Sequence, residues 1–256
     1  MRSHLRAALL LAFLFLPLIA LVTAAEPIGQ DPAYHGFADQ RAFFGISNAL
    51  NVLSNLPFLL VGVLGLRYAL REEELATRTA WGVHFAGTAL VCFGSAYFHW
   101  EPNNATLVWD RIPMTVAFMG LFVALLSEHM ERNIESVLIA PALIVGVGSV
   151  LWWAYSGDLR VYVWVQFGPL LAIPILIVFF RGQYSHRHYL LYGLGFYLAA
   201  KLAEMWDRQI FEATGNWLSG HSLKHVLAAG AALCLLLMLK RRSTLRPSSS
   251  HRAQEV

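Results

Sequence analysis

Eight mostly apolar runs follow one another along the chain, at about 5–24, 46–70, 80–99, 106–128, 134–155, 161–180, 188–207 and 219–240. From residue 46 onward only short polar links such as REEELATR, EPNNAT and SGDLR separate them. A helix needs about 20 such residues to cross a hydrocarbon core, and inside that core only helices or closed barrels satisfy their own backbone. The chain is therefore expected to be an all-α polytopic membrane protein. Composition agrees, since 57% of the 256 residues are hydrophobic and 14% are charged, against roughly 25% charged in soluble domains. No internal repeat and no soluble domain fits between the runs. No basic stripe interleaved with aromatics points to nucleic acid. Cys92 and Cys234 both sit in apolar runs, where free, buried thiols are expected.

Arginine and lysine in short links mark the cytoplasmic side. If every run from 46 onward crosses, one side collects Arg67, Arg71, Arg78, Arg132, Arg181, Arg187, Lys240, Arg241, Arg242 and Arg246. The opposite side has only Arg160 and Arg208 in its links. The C-terminus is then cytoplasmic and residues 26–45 form an extracytoplasmic segment. Residues 1–25, with a basic start and a small-residue end, are either a signal peptide or an additional transmembrane helix. Residues 46–240 make a seven-helix core, and residues 241–256 a disordered basic tail.

Ionisable groups inside a membrane are costly and often functional. On the topology above, His99, Asp110, His221 and His225 share one level, near the extracytoplasmic ends of three helices. His221 and His225, four residues apart, lie on one helical face and can present two nitrogens to one metal. His99 is the natural third ligand, and Ser95 lies one turn from it on the same face. Each residue also has a plainer reading. Asp110 suits a helix N-terminus, and a lone histidine near a helix end is usually interfacial. Lys201, Glu204 and Asp207 read as an ion-pair stripe packed on the last helix with Lys224, or as support for the histidines. Asn48, Asn51 and Asn55 read as helix-to-helix hydrogen bonding. The common depth of three histidines, one aspartate and one serine favours the metal.

The order of the motifs, GSAYFHW with S-x-x-x-H, an aspartate eleven residues on, and H-x-x-x-H in the last run, resembles the alkaline ceramidase family. That family belongs to the CREST superfamily of seven-helix membrane hydrolases, and NVLSNLPFLLVG and SGHSLKH resemble its bacterial branch. The resemblance covers roughly residues 39–240. It implies zinc held by His99, His221 and His225, with Ser95 and Asp110 beside it. It implies an intramembrane hydrolase that cleaves ceramide to a fatty acid and a sphingoid base, located in a bacterial inner membrane with the metal near the extracytoplasmic side. Asp110 would handle the protons of a zinc-activated water, and Ser95 would steady the oxyanion. One part departs from the family. Animal members carry an acidic Ca2+ site before the first core helix, where this chain offers only Asp39 and Asn48, too few oxygens for a hard cation. The competing functions are a receptor of the adiponectin type with structural zinc, a bis-histidine haem carrier, and a transporter.

Overall fold

The structure is a computed structural model that describes residues 12, 16–75, 77–130, 134–180 and 183–245. Its helices begin and end where the polar links fall. They are α1 (Ala49–Leu53), α2 (Leu56–Arg71), α3 (Arg78–Trp100), α4 (Asn104–His129), α5 (Ile134–Ser156), α6 (Arg160–Phe179), α7 (His188–Met205), α8 (Asp207–Ala213) and α9 (Gly220–Arg241). Local chemistry sets the starts nearest the site. Asn103 Oδ1 accepts from the amides of Ala105 and Thr106 at 2.9 and 3.0 Å, and the Thr106 hydroxyl accepts from the Asn103 amide. This capping box opens α4 seven residues before Asp110. Ser219 caps α9 by accepting from the Ser222 amide at 3.0 Å, two residues before His221.

Among the described residues, five helical stretches are long and apolar enough to cross a membrane: α1 and α2 taken together, α4, α5, α6 and α9. The other two long helices, α3 and α7, carry polar residues that the site uses. Apolar side chains such as Leu60, Val63, Ile144 and Val178 point outward, as a lipid-facing surface requires. Three details differ from the sequence expectations. The run 46–70 breaks at Ser54 and Asn55 into two helices. The link after Met205 contains a short helix, α8. The last helix runs on to Arg241, and Arg242 after it makes a bidentate ion pair with Glu128 at 2.7 and 2.8 Å. Glu128 also accepts from Thr77 and Trp81 at 2.7 and 2.8 Å, tying three helix ends together. Residues 1–11 and 246–256, and with them most of the expected leader and tail, lie outside the described residues; residues 16–24 are helical.

Small residues let the helices that carry the site approach closely. A Cβ on Gly94 would overlap the Trp109 carbonyl, so α3 and α4 touch just where Ser95 and Asp110 follow. A Cβ on Gly220 would overlap the Ala203 carbonyl, so α7 and α9 touch beside Glu204 and His221. Large side chains fill the rest of the interior, with Trp81, Phe85, Phe98, Leu125 and Leu176 fully buried.

The segment 26–47 runs across the end of the bundle where His99, Asp110 and His221 lie, and it is pinned at several points. The Ile28 amide donates to Asp158 and the Ala38 amide to Asp207. Tyr34 reaches Glu204 from the same segment. Arg160 hydrogen-bonds the Asp158 carboxylate and holds its pKa below the usual aspartate value.

Candidate metal centre

His99 comes from the last turn of α3, and His221 and His225 from the first turns of α9. All three are buried, and their ligand atoms lie within 4.8 Å of one another. His99 Nε2 is 3.2 Å from His225 Nε2 and 3.3 Å from His221 Nε2. A neutral imidazole has one N–H, so one proton on His99 Nε2 cannot serve both contacts. A cation between the three nitrogens satisfies all of them. Two nitrogens at about 2.05 Å from a tetrahedral zinc are separated by roughly 3.3 Å, which the two contacts match. The donor set therefore fits a metal ion of the borderline, nitrogen-loving kind.

The surroundings fix the rings. Ser54 gives its one proton to the Asn51 carbonyl at 3.0 Å, so at 2.7 Å it accepts from His225 Nδ1–H. That leaves the Nε2 lone pair of His225 directed at the other histidines, the usual arrangement behind a metal-binding imidazole. The Phe37 ring packs 4.7 Å from both His99 and His221, centroid to centroid. Asn48 donates to the His99 carbonyl at 2.8 Å. Asn51 accepts from Ser222 at 2.8 Å and Ser219 at 3.3 Å. Asn48 and Asn51 thus hydrogen-bond the end of α3 and the start of α9, the helix-to-helix role expected of them, whereas Asn55 donates to the nearby Asn51 and Val52 carbonyls instead.

The lysine and acid stripe reaches the same place. Glu204 pairs with Lys224 at 2.7 Å and with Lys201. Lys224 Nζ also lies 3.1 Å from His221 Nε2. Asp207 accepts from the His221 amide at 2.7 Å, and its other oxygen holds Ala38. Asp39 is bonded through both oxygens to Arg41, at 2.8 and 2.7 Å, and so is already engaged by a cation.

Ser95, Asp110 and His225 line a cavity of about 400 Å³. Ser95 and Asp110 lie beside one another in it. From there the cavity continues past His84, Leu121, Ile173 and Leu235, about 15 Å farther along the helices at roughly 1.5 Å per residue. One end is polar and adjoins the histidines, and the other is apolar apart from His84. The structure thus brings all five sequence-predicted residues together. Sequence reasoning passed over Ser54 and Phe37, which reach the site only through tertiary packing. It set His84 aside, yet His84 lines the cavity with Nδ1 2.9 Å from the Ala117 carbonyl.

A sequence-family model described as Ceramidase matches residues 42–255, a stretch that contains every one of these side chains except those of the segment before residue 42. A comparison with curated proteins finds no match.

Proposed function

The chain belongs to the ceramidase family and is therefore a hydrolase acting on the amide bond of ceramide, and from that premise we propose a zinc-dependent reaction in the cavity beside the three histidines. The observation that carries the proposal is the convergence of three buried imidazole nitrogens, at 3.2 and 3.3 Å, beside a cavity that turns from polar to apolar. His99, His221 and His225 would hold the ion. Bound there, zinc supplies Lewis acidity and lowers the pKa of water towards neutrality.

The chain's own residues supply the rest. The apolar part of the cavity takes a lipid tail and keeps bulk water away, while the polar end receives the amide. Asp110 accepts the proton of the attacking water as the oxygen bonds to the amide carbon. It returns that proton to the nitrogen as the C–N bond breaks, releasing a fatty acid and a sphingoid base. Ser95 lies beside Asp110 and has one hydroxyl proton, which would point to the carboxylate while Asp110 is ionised. Once Asp110 is protonated, that hydroxyl is free to turn to the oxyanion, so orientation of the base and support of the oxyanion follow one another. Ser54, Asp207 and Asn48 position the histidines.

The rest of the reading is a bundle of seven crossings, formed by the five apolar helices with α3 and α7, in a bacterial inner membrane. Its C-terminus is cytoplasmic and the histidines lie near the extracytoplasmic side, because the arginine-rich links gather at the opposite end. Residues 1–25 lead in as a signal peptide or further helix, and the tail is cytoplasmic.

Metal content and ceramide turnover of the purified protein test the function together. About one zinc per chain is expected, with strong loss in His221→Ala/His225→Ala. Asp110→Asn should keep zinc and its melting temperature while losing about 10²–10⁴ in rate. A folded, zinc-loaded Asp110→Asn protein as fast as the parent removes Asp110 from the chemistry. A zinc-loaded parent that turns over no lipid amide favours the receptor-like reading.

A further inference from the structure

Arg111 follows Asp110 in α4 and lines the same cavity, yet its side chain is not used by the hydrolysis just described. It is 5% exposed. Its guanidinium lies over two rings, 4.0 Å from the centroid of Trp153 and 4.6 Å from that of Tyr162. Aromatic faces of this kind stabilise a desolvated cation and leave its N–H groups pointing outward in the plane. One of them is engaged, with Nη2 donating to Gln30 Oε1 at 2.5 Å. Nη1 is buried and has no hydrogen-bond partner among the described residues.

No carboxylate among the described residues lies within ion-pair distance of Arg111. The two other cations of the cavity, Lys201 and Lys224, share Glu204. Asp110 attracts Arg111 only across space. Asp31, also at this end, uses its carboxylate to hold the Ala33 amide. A buried guanidinium with a free N–H is costly unless something accepts from it. The fork geometry suits a planar or tetrahedral anion that can take two parallel hydrogen bonds.

The geometry points to Arg111 as the binding residue for an anionic oxygen group of the lipid, at the polar end of the cavity. This rests on the cavity being the lipid site proposed above. The chemistry has two sources: a phosphate on the headgroup of a 1-phosphorylated ceramide, taken beside ceramide itself, or the carboxylate of the released fatty acid. Both present an oxygen pair that can accept from the guanidinium edge, and both lie at the same end as the amide. Lys224 and Lys201, committed to Glu204, do not substitute for it.

Equilibrium binding to the purified full-length protein in detergent tests this without any turnover. The probes are a sphingoid base 1-phosphate against the uncharged sphingoid base analogue that keeps its alcohol, and a long-chain fatty acid against the matching fatty alcohol. The parent should bind at least one anion more tightly than its alcohol. Arg111→Gln should reduce that preference roughly 10- to 100-fold, the range for a hydrogen bond to a charged group. Loss confined to the phosphate assigns Arg111 to the headgroup, and loss confined to the carboxylate assigns it to the product. Arg111→Lys keeps the charge and occupies the site if Arg111→Gln does not fold; its preference should be intermediate. Equal binding of anion and alcohol by the parent, or an Arg111→Lys or folded Arg111→Gln protein with the parent's preference in both pairs, overturns the inference. Neutral ceramide turnover, measured beside it, reports on the hydrolase reading alone.

Discussion

Gly220 is the position where one added methyl should reach the metal centre without altering any polar group. A Cβ there would lie 2.7 Å from Asp207 Cα and 3.0 Å from the Asp207 nitrogen, besides overlapping the Ala203 carbonyl. Carbon atoms rest at about 3.5–4.0 Å, so the start of α9 must retreat from α7 by about 1 Å. All the close atoms are backbone, and no flexible side chain can absorb the change. Overpacking of this kind costs about 1–3 kcal/mol. The retreat also stretches the 2.7 Å bonds from the His221 amide to Asp207 and from Lys224 to Glu204. His221 and His225 move with α9, whereas His99 stays on α3. Metal–ligand distances tolerate about 0.2 Å, so side-chain readjustment recovers the site only in part. Gly220→Ala should therefore lower zinc affinity about 10- to 100-fold, as losing an orienting partner does. Gly195→Ala, on α7 with nothing within 4 Å of its added carbon, is the control and should hold zinc like the parent. Competition with a chelator of known affinity, alongside thermal melting in detergent, reads both. A folded Gly220→Ala protein with the parent's zinc affinity would show that the glycine contact does not position the histidines.

Three further outcomes are expected. Ser54→Ala should lower zinc affinity about tenfold with little change in melting temperature, because it removes the acceptor that orients His225 Nδ1; unchanged affinity would make that contact incidental. Glu128→Ala should destabilise by about 3–5 kcal/mol, since it strands the buried Arg242, and Glu128→Leu/Arg242→Met should regain most of the loss in a melting cycle. A double variant as unstable as Glu128→Ala would refute the ion-pair account. Asp158, whose pKa is lowered by Arg160, contributes stability that is present above the ordinary aspartate value and lost as pH falls through the lower folded value. Exchange at the Ile28 amide should thus speed up below about pH 4 relative to its intrinsic rate, and Asp158→Asn should remove that pH step; a step of equal size in the variant would place its origin elsewhere.

The helices were legible because hydrophobic length is a local property. His221 and His225 were legible for the same reason, since i and i+4 share a face whatever the rest of the chain does. His99, Asp110 and Ser95 could be placed beside them because the topology, read from arginines, sets depth. What the sequence could not show is which side chains meet across helices. Ser54 sits in a helix break that Asn55 and Pro57 mark locally, but its bond to His225 spans 171 residues. Arg111 follows Asp110 in sequence, but only packing brings Trp153 and Tyr162 against its guanidinium. Arg242 looked like the start of a disordered tail because its partner, Glu128, lies 114 residues away. Each of these depends on packing, which no local pattern encodes.

The segment 26–47 leaves the ribosome long before the residues that pin it. Tyr34 and Glu204 are 170 residues apart, and Ala38 and Asp207 are 169 apart. At about 5–20 residues per second, synthesis of that interval lasts on the order of 10–30 s. During that time the segment has its Asp158 anchor before it has Glu204 or Asp207. The end of the bundle therefore stays uncovered until α7 to α9 are inserted. The three histidines come together only when the last helix is made, because His221 and His225 both lie on α9. A chain stalled before residue 220 has made Ser95, His99 and Asp110 but neither of the other two histidines, and it holds no site that could act on the membrane around it.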